Sequence, residues 1–245
     1  GAMQRTGSGD GLTAAEIETA LRTTIITEAE TAWGQMLEWM GDHQTVASAV
    51  TGYELSNEPA AYERVVDLTA RGGKLDAEAR MVELYARHSV MLAEQISAAF
   101  PQARILVPGW GFSGRFAEFS TVTFDGTSAA DFLRAALGDA LIWSAHVYPG
   151  WHGGMDVTST SQVTDALDAA FASVLGDDIL VTETNLHGTQ INDFSQSPTV
   201  VTLYSRLQEW FADHDIGIGW FPGAQAGGSS LVTVDPDQQL RILHQ

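Results

Sequence analysis

The run VTGYELSNEP, from Val50 to Pro59, decides how this chain is read. A short apolar stretch closes on polar residues, a glutamate and a proline, as a buried strand does where its C-terminal end opens into a loop. The same form returns downstream in ARILVPGWG (103–111), LIWSAHVYPGW (141–151), ILVTETN (179–185) and IGIGWFPGAQ (216–225). Helical spacing lies between and before these runs. Thr13-Ala-Ala-Glu16 has the form of a capping box, and it opens a helical region, broken once before residue 45, in which Trp33, Met36, Leu37 and Met40 share a face. Met81, Leu84, Tyr85, Leu92, Ile96 and Ala99 mark a long helix before the second run. Val163, Leu167, Phe171 and Val174 mark another before the fourth, and Val200, Leu203, Leu207, Trp210 and Phe211 one before the fifth. Strands that are apolar throughout and separated by amphipathic helices are parallel, with the helices as crossovers covering the sheet. The fold class is therefore α/β, a TIM-barrel-type (β/α) array. Each strand also ends in polar, aromatic and glycine residues, where barrel enzymes place their sites. Five such units are visible where a full barrel has eight, so the array is incomplete.

Composition narrows the partners. The 245 residues suit one large core, and the expectation is a single partial barrel domain over 13–245. Residues 1–12, opening on Gly-Ala-Met and rich in Gly, Ser and Asp, read as an expression scar and linker rather than a targeting signal. With 44% hydrophobic and 18% charged residues the chain is ordinary globular protein, and no apolar run is long enough to cross a bilayer. A formal charge of −19 repels phosphate backbones and anionic headgroups, which argues against nucleic acid and membrane surfaces and favours a neutral or cationic ligand. The absence of cysteine excludes disulfides, thiolate metal sites and a cysteine nucleophile.

Two carboxylates end two of the strands, Glu58 in SNEP and Glu183 in VTETN. Retaining cleavage of a glycosidic bond needs such a pair, one protonated to assist the leaving oxygen and one ionised to attack the anomeric carbon, about 5–5.5 Å apart. Strands around one barrel mouth can supply both. There is no HExxH, no HxH, no EF-hand loop, no Gly-x-Ser-x-Gly elbow and no phosphate-binding glycine loop. Neither a metal centre nor a cofactor is expected.

With Asn57-Glu58-Pro59 after one strand, His146-Val-Tyr148 ending a later one, Glu183 ending the next and Trp220 on the last, the chain resembles clan A of the glycoside hydrolases. The resemblance covers Thr31 to about Gln225. GYELSNEP and PQARILVPG look most like family 39 and its bacterial exopolysaccharide-hydrolase relatives, with family 5 a neighbour. It implies a (β/α)8 barrel of which these are the fourth to eighth strands, the first three being absent. It further implies a retaining glycosidase with Glu58 as acid/base, Glu183 as nucleophile, Asn57 on the sugar 2-hydroxyl, and Tyr148 orienting Glu183. His146 would line the same subsite and Trp220 its floor, while Trp110, Trp151 and His152 would wall neighbouring subsites. The partner implied is a polysaccharide or oligosaccharide, and that substrate class implies a secreted, extracellular or periplasmic location. The missing strands would leave two open edges, for which a homodimer or a partner chain is the expected cover.

Other readings stay open at this stage. Glu54 alternates with Ser56 and Glu58 and should face the barrel interior, as a buried ion-pair member rather than a catalytic group. Trp143 has the opposite alternation and belongs under a helix. The main alternative is an inactive carbohydrate-binding or scaffold protein descended from such a barrel. A metal-dependent hydrolase using His146, His152, His187, Asp156 and Glu183 is the weakest.

Overall fold

A computed structural model describes residues 11–147, 160–184, 198–220, 232–234 and 240–242. Five strands, β1 (Gly52–Glu54), β2 (Arg104–Pro108), β3 (Leu141–Val147), β4 (Ile179–Thr184) and β5 (Gly217–Trp220), form one parallel sheet in sequence order. Seven main helices accompany them: α1 (Ala14–Ala20), α2 (Ile26–Asp42), α3 (Ala60–Leu68), α4 (Lys74–Ala99), α5 (Ala129–Leu137), α6 (Thr160–Phe171) and α7 (Pro198–Asp213). A parallel pair cannot be closed by a tight turn, so each interval carries a helix that returns the chain to the same end. The result is a partial TIM-barrel fold.

The expected capping box is formed: the Thr13 hydroxyl accepts from the Glu16 N–H at 3.3 Å, and the Glu16 carboxylate accepts from the Thr13 N–H at 2.8 Å. The expected break before residue 45 is a π-helical turn, Leu21–Ile25, which joins α1 to α2 without ending the helix. Ile17, Leu21, Ile25 and Ile26 are all buried along this joined helix. The interval between β2 and β3 holds a small antiparallel pair, Thr123–Phe124 with Thr127–Ser128, and then α5, neither of them anticipated above. Its cap could have been seen: the Ser128 hydroxyl accepts from the Asp131 N–H at 3.1 Å.

One face of the sheet is the core. Tyr53, Ile105, Val107, Trp143, Ala145 and Val181 alternate outward beneath the helices and are at most 5% exposed. Met81, Tyr85, Leu92 and Ile96 of α4 pack on them, each side chain worth about 1.5–3 kcal/mol on leaving water. Trp143 lies under helices as its alternation requires. Its ring stacks on Phe119, with centroids 5.8 Å apart, and its indole N–H donates to Asp177 at 2.8 Å. Phe116, Phe171, Trp210 and Phe211 extend this aromatic layer towards α7. The other face is concave and carries the polar residues. Among the described residues β1 pairs only with β2, and β5 only with β4.

Candidate active site

Glu58 follows β1, His146 is the penultimate residue of β3, and Glu183 is the penultimate residue of β4. All three stand at the C-terminal end of the sheet. The His146 Nδ1 lies 3.2 Å from the Glu58 carboxylate and 3.0 Å from that of Glu183. One carboxylate oxygen from each glutamate and the imidazole nitrogen lie within 4.8 Å of one another. The histidine is 1% exposed, whereas the glutamates retain 21% and 18%, so the base of the site is dry and its carboxylates face the opening.

Three local features of the chain produce this arrangement. First, β4 carries a bulge: Ala145 pairs with Val181, but His146 pairs with Glu183, leaving Thr182 without an opposite residue. The shift reappears on the other side of β4, where Val181 pairs with Ile218 and Thr184 with Trp220. A bulge breaks the period of two, and here consecutive residues reach concave-face partners: the Thr182 hydroxyl donates to Glu54 at 2.8 Å, and Glu183 reaches His146. Second, Glu58 has φ +51°, a left-handed conformation that disfavours any side chain. The residue before a proline already avoids the right-handed helical region. A strained backbone therefore aims the carboxylate, at about 1–3 kcal/mol. Third, α3 begins directly after Pro59 and fixes the exit of that turn.

The electrostatics follow from this geometry. Burial alone disfavours the imidazolium of His146, but hydrogen bonds to Glu183 and Glu58, with the charges of Glu183 and Glu54, outweigh it and raise the pKa to about 9. At neutral pH a cation stands between the two carboxylates. Glu54 faces the interior as its alternation requires; its carboxylate accepts from the Thr182 hydroxyl at 2.8 Å, and its charge acts on the His146 imidazolium. The trio of one imidazole and two carboxylates has the donor types of a divalent-metal centre, a grouping that no motif spacing announces because its members come from three strands.

The other residues expected at the site divide into three groups. Asn57 is exposed beside Glu58 at the mouth. Trp110 is only 2% exposed and packs between Tyr85 and Phe119, with ring centroids 6.3 and 6.5 Å away, while it also lines a cleft beside α3 with Phe112 and Arg115. The next aromatic residue along, Phe112, is 42% exposed instead. Trp220 ends β5 in register with Thr184. Tyr148, Trp151 and His152, together with Asp156 and His187, lie outside the described residues.

No family model and no curated protein matches the chain. Among solved structures, a beta-glucanase from Saccharophagus degradans in complex with cellotetraose is 16% identical, with TM-score 0.56 over 88% of this chain and 56% of that one. An endo-beta-1,4-glucanase from Xanthomonas axonopodis pv. citri is 17% identical, with TM-score 0.57 over 89% of this chain and 64% of its own. An endoglucanase from Pseudomonas stutzeri is 16% identical, with TM-score 0.55 over 87% and 58%. The likeness is one of fold. The chain spans less than two thirds of the length of each of these proteins.

Proposed function

We propose that this chain is the catalytic part of a retaining glycoside hydrolase of clan A, with Glu58 as general acid/base and Glu183 as nucleophile. The observation that carries the reading is the approach of their carboxylate oxygens to within 4.8 Å at the C-terminal end of a barrel sheet. Inverting enzymes hold the two groups about 6.5–9.5 Å apart to admit a water, whereas direct attack needs the shorter separation. In the first half-reaction Glu58 gives its proton to the glycosidic oxygen while Glu183 bonds to the anomeric carbon, and the leaving sugar departs as an alcohol. In the second, Glu58 takes a proton from water, whose oxygen displaces Glu183. The imidazolium of His146, hydrogen-bonded to Glu183, favours the ionised nucleophile.

The sugar is read from fold likeness alone, and two of the solved structures similar in fold are a beta-glucanase and an endo-beta-1,4-glucanase, so β-glucan oligosaccharides are the first substrates to test. The closer kinship to family 39 rests on GYELSNEP and PQARILVPG. A partner chain or second copy that pairs with the outer edges of β1 and β5 belongs to the same reading, since an unpaired parallel edge invites another strand. Secretion follows only from the substrate class.

Incubation with activated 2-deoxy-2-fluoro glycosides, read by intact mass and peptide mapping, tests the mechanism. A single glycosyl adduct on Glu183 is expected, and Glu183→Ala should abolish both adduct and turnover. Undiminished turnover in Glu183→Ala would sink the proposal. The donor set around His146 also favours a second reading, a metal-dependent hydrolase. Loss of activity with a chelator and its return with one particular metal would select that reading.

A further inference from the structure

Glu183 stands where β4 could run in either of two registers. Were the alternation regular, Thr182 and Thr184 would face the concave side, and Glu183 would lie with Val181, which is fully buried beneath the helices. The bulge reverses this: Glu183 pairs with His146 on the concave side, and Thr184 is the residue that is fully buried. Two hydroxyls and one missing side chain hold the bulged form. On one side of Glu183 the Thr182 hydroxyl donates to Glu54 at 2.8 Å, a bond that spans the concave face, since β2 and β3 lie between β1 and β4 in the sheet. On the other side the Thr184 hydroxyl donates to the Val147 carbonyl at 2.6 Å. Against the bulge β5 offers a single residue, Gly219, between Ile218 paired with Val181 and Trp220 paired with Thr184. A Cβ on Gly219 would come within 2.9 Å of the Thr182 carbonyl oxygen, so the strand can pass the bulge only where it has no side chain.

These contacts reach β4 from three other strands and meet at one slip of register. Such a slip turns every following side chain to the opposite face. Whatever fixes the bulge therefore decides whether the Glu183 carboxylate reaches the His146 Nδ1 at 3.0 Å, beside Glu58, or is withdrawn from both. Glu54 takes no part in the double displacement itself. Its bond to Thr182 links the strand that leads to Glu58 directly to the strand that carries Glu183. We propose that Glu54 and Thr182 are positioning residues for the nucleophile, which with Gly219 hold β4 in its bulged register and so set the separation of the two catalytic carboxylates. The inference rests on the glycosidase reading for the chemical role of Glu183, and on the strand register for the rest.

The test uses the whole protein with Thr182→Val, which keeps the shape and loses the hydroxyl, Thr182→Ser, which keeps the hydroxyl, Gly219→Ala, Glu54→Leu, and Glu54→Leu combined with Thr182→Val. Inactivation by an activated 2-deoxy-2-fluoro glycoside separates the rate of bond formation at Glu183 from the affinity for the reagent. The imidazole nitrogen resonances of His146 report the Glu183 contact without any turnover, with Glu183→Gln as the reference for its loss. Thr182→Val and Gly219→Ala should each slow inactivation about 10²-fold, the scale of a small misplacement of a reacting group, with the affinity for the reagent unchanged. Thr182→Ser should recover most of the rate, and Thr182→Val added to Glu54→Leu should cost nothing more, because the two residues act through one bond. The His146 resonances of Thr182→Val should move towards those of Glu183→Gln while its urea midpoint stays close to that of the wild type. An unchanged inactivation rate with unchanged resonances in Thr182→Val, independent losses in the combined variant, or a loss carried by affinity or stability alone would overturn the proposal. If no reagent marks the wild type, the glycosidase reading fails and the resonances decide by themselves: a shift in Thr182→Val supports the positioning role, and no shift overturns it.

Discussion

Glu58 carries two burdens, a left-handed backbone and a carboxyl group close to that of Glu183, and substitution can separate them. Glu58→Ala and Glu58→Gly both remove the carboxylate, but only glycine adopts φ +51° without strain. The glycine variant should therefore be about 1 kcal/mol more stable than the alanine variant in urea melts, the reverse of the order found at ordinary positions. Equal stabilities would mean that the turn relaxes once the carboxylate is gone. In activity, Glu58→Ala should lose about 10²–10⁴-fold on natural substrates, the usual weight of a general acid/base. The loss of glycosylation rate should be far smaller for an aryl glycoside whose leaving group needs no proton, and pre-steady-state kinetics would measure it. Asn57-Glu58-Pro59 made this residue visible in the sequence; its positive φ and its distance from Glu183 were not, because both depend on where α3 and β4 hold the chain.

At the scale of elements, Trp110 shows how a strand-end aromatic is fixed by the turn that follows it. Sequence position makes it a candidate subsite wall, and the left-handed turn over 111–113 folds it back against Tyr85 and Phe119. Trp110→Ala should accordingly destabilise the protein by about 3–5 kcal/mol, the cost of emptying a large core site, visible as a lowered denaturant midpoint. A true wall would lose substrate affinity with little change in stability. The β4 bulge is of the same kind. No residue in ILVTETN announces it, since Thr182 fits either face of a strand, and the register of both neighbouring strands is needed to locate it.

Stability of the whole molecule should depend on pH through one buried and two partly buried groups. Burial, against the Phe112 and Gly111 N–H groups and the Arg115 charge, raises the Glu63 pKa to about 7 from an ordinary 4.5. Its contribution is present below pH 4.5 and lost as pH rises through 7. Burial lowers the His88 pKa to about 4, so its contribution is present above 6.5 and lost as pH falls through 4. These two oppose each other between pH 4.5 and 6.5. His146, with its pKa raised to about 9, contributes fully below 6.5 and loses that contribution as pH rises through 9. The melting temperature should thus be nearly level from pH 4.5 to 6.5 and fall between 6.5 and 9. The His146 share is at most of order 3 kcal/mol, since the carboxylates that hold it keep some water. His146→Gln should flatten that fall, and a profile unchanged by the substitution would remove His146 as its cause. Added salt should raise stability above pH 7, because screening relieves the self-repulsion of a chain with formal charge −19.

The sequence by itself determined the α/β class, the five parallel strands, the covering helices it marked and the two glutamates at strand ends. Each of these is written in local pattern, in runs of apolar residues, helical spacing and the residues that end a strand. Only the tertiary structure decided that one buried imidazole would join Glu58 to Glu183, that Trp110 would be core and Phe112 exposed, and that Thr182 would slip the register of β4. Those outcomes belong to pairs of residues brought together by strand order and turn handedness, so no single stretch of the chain contains them.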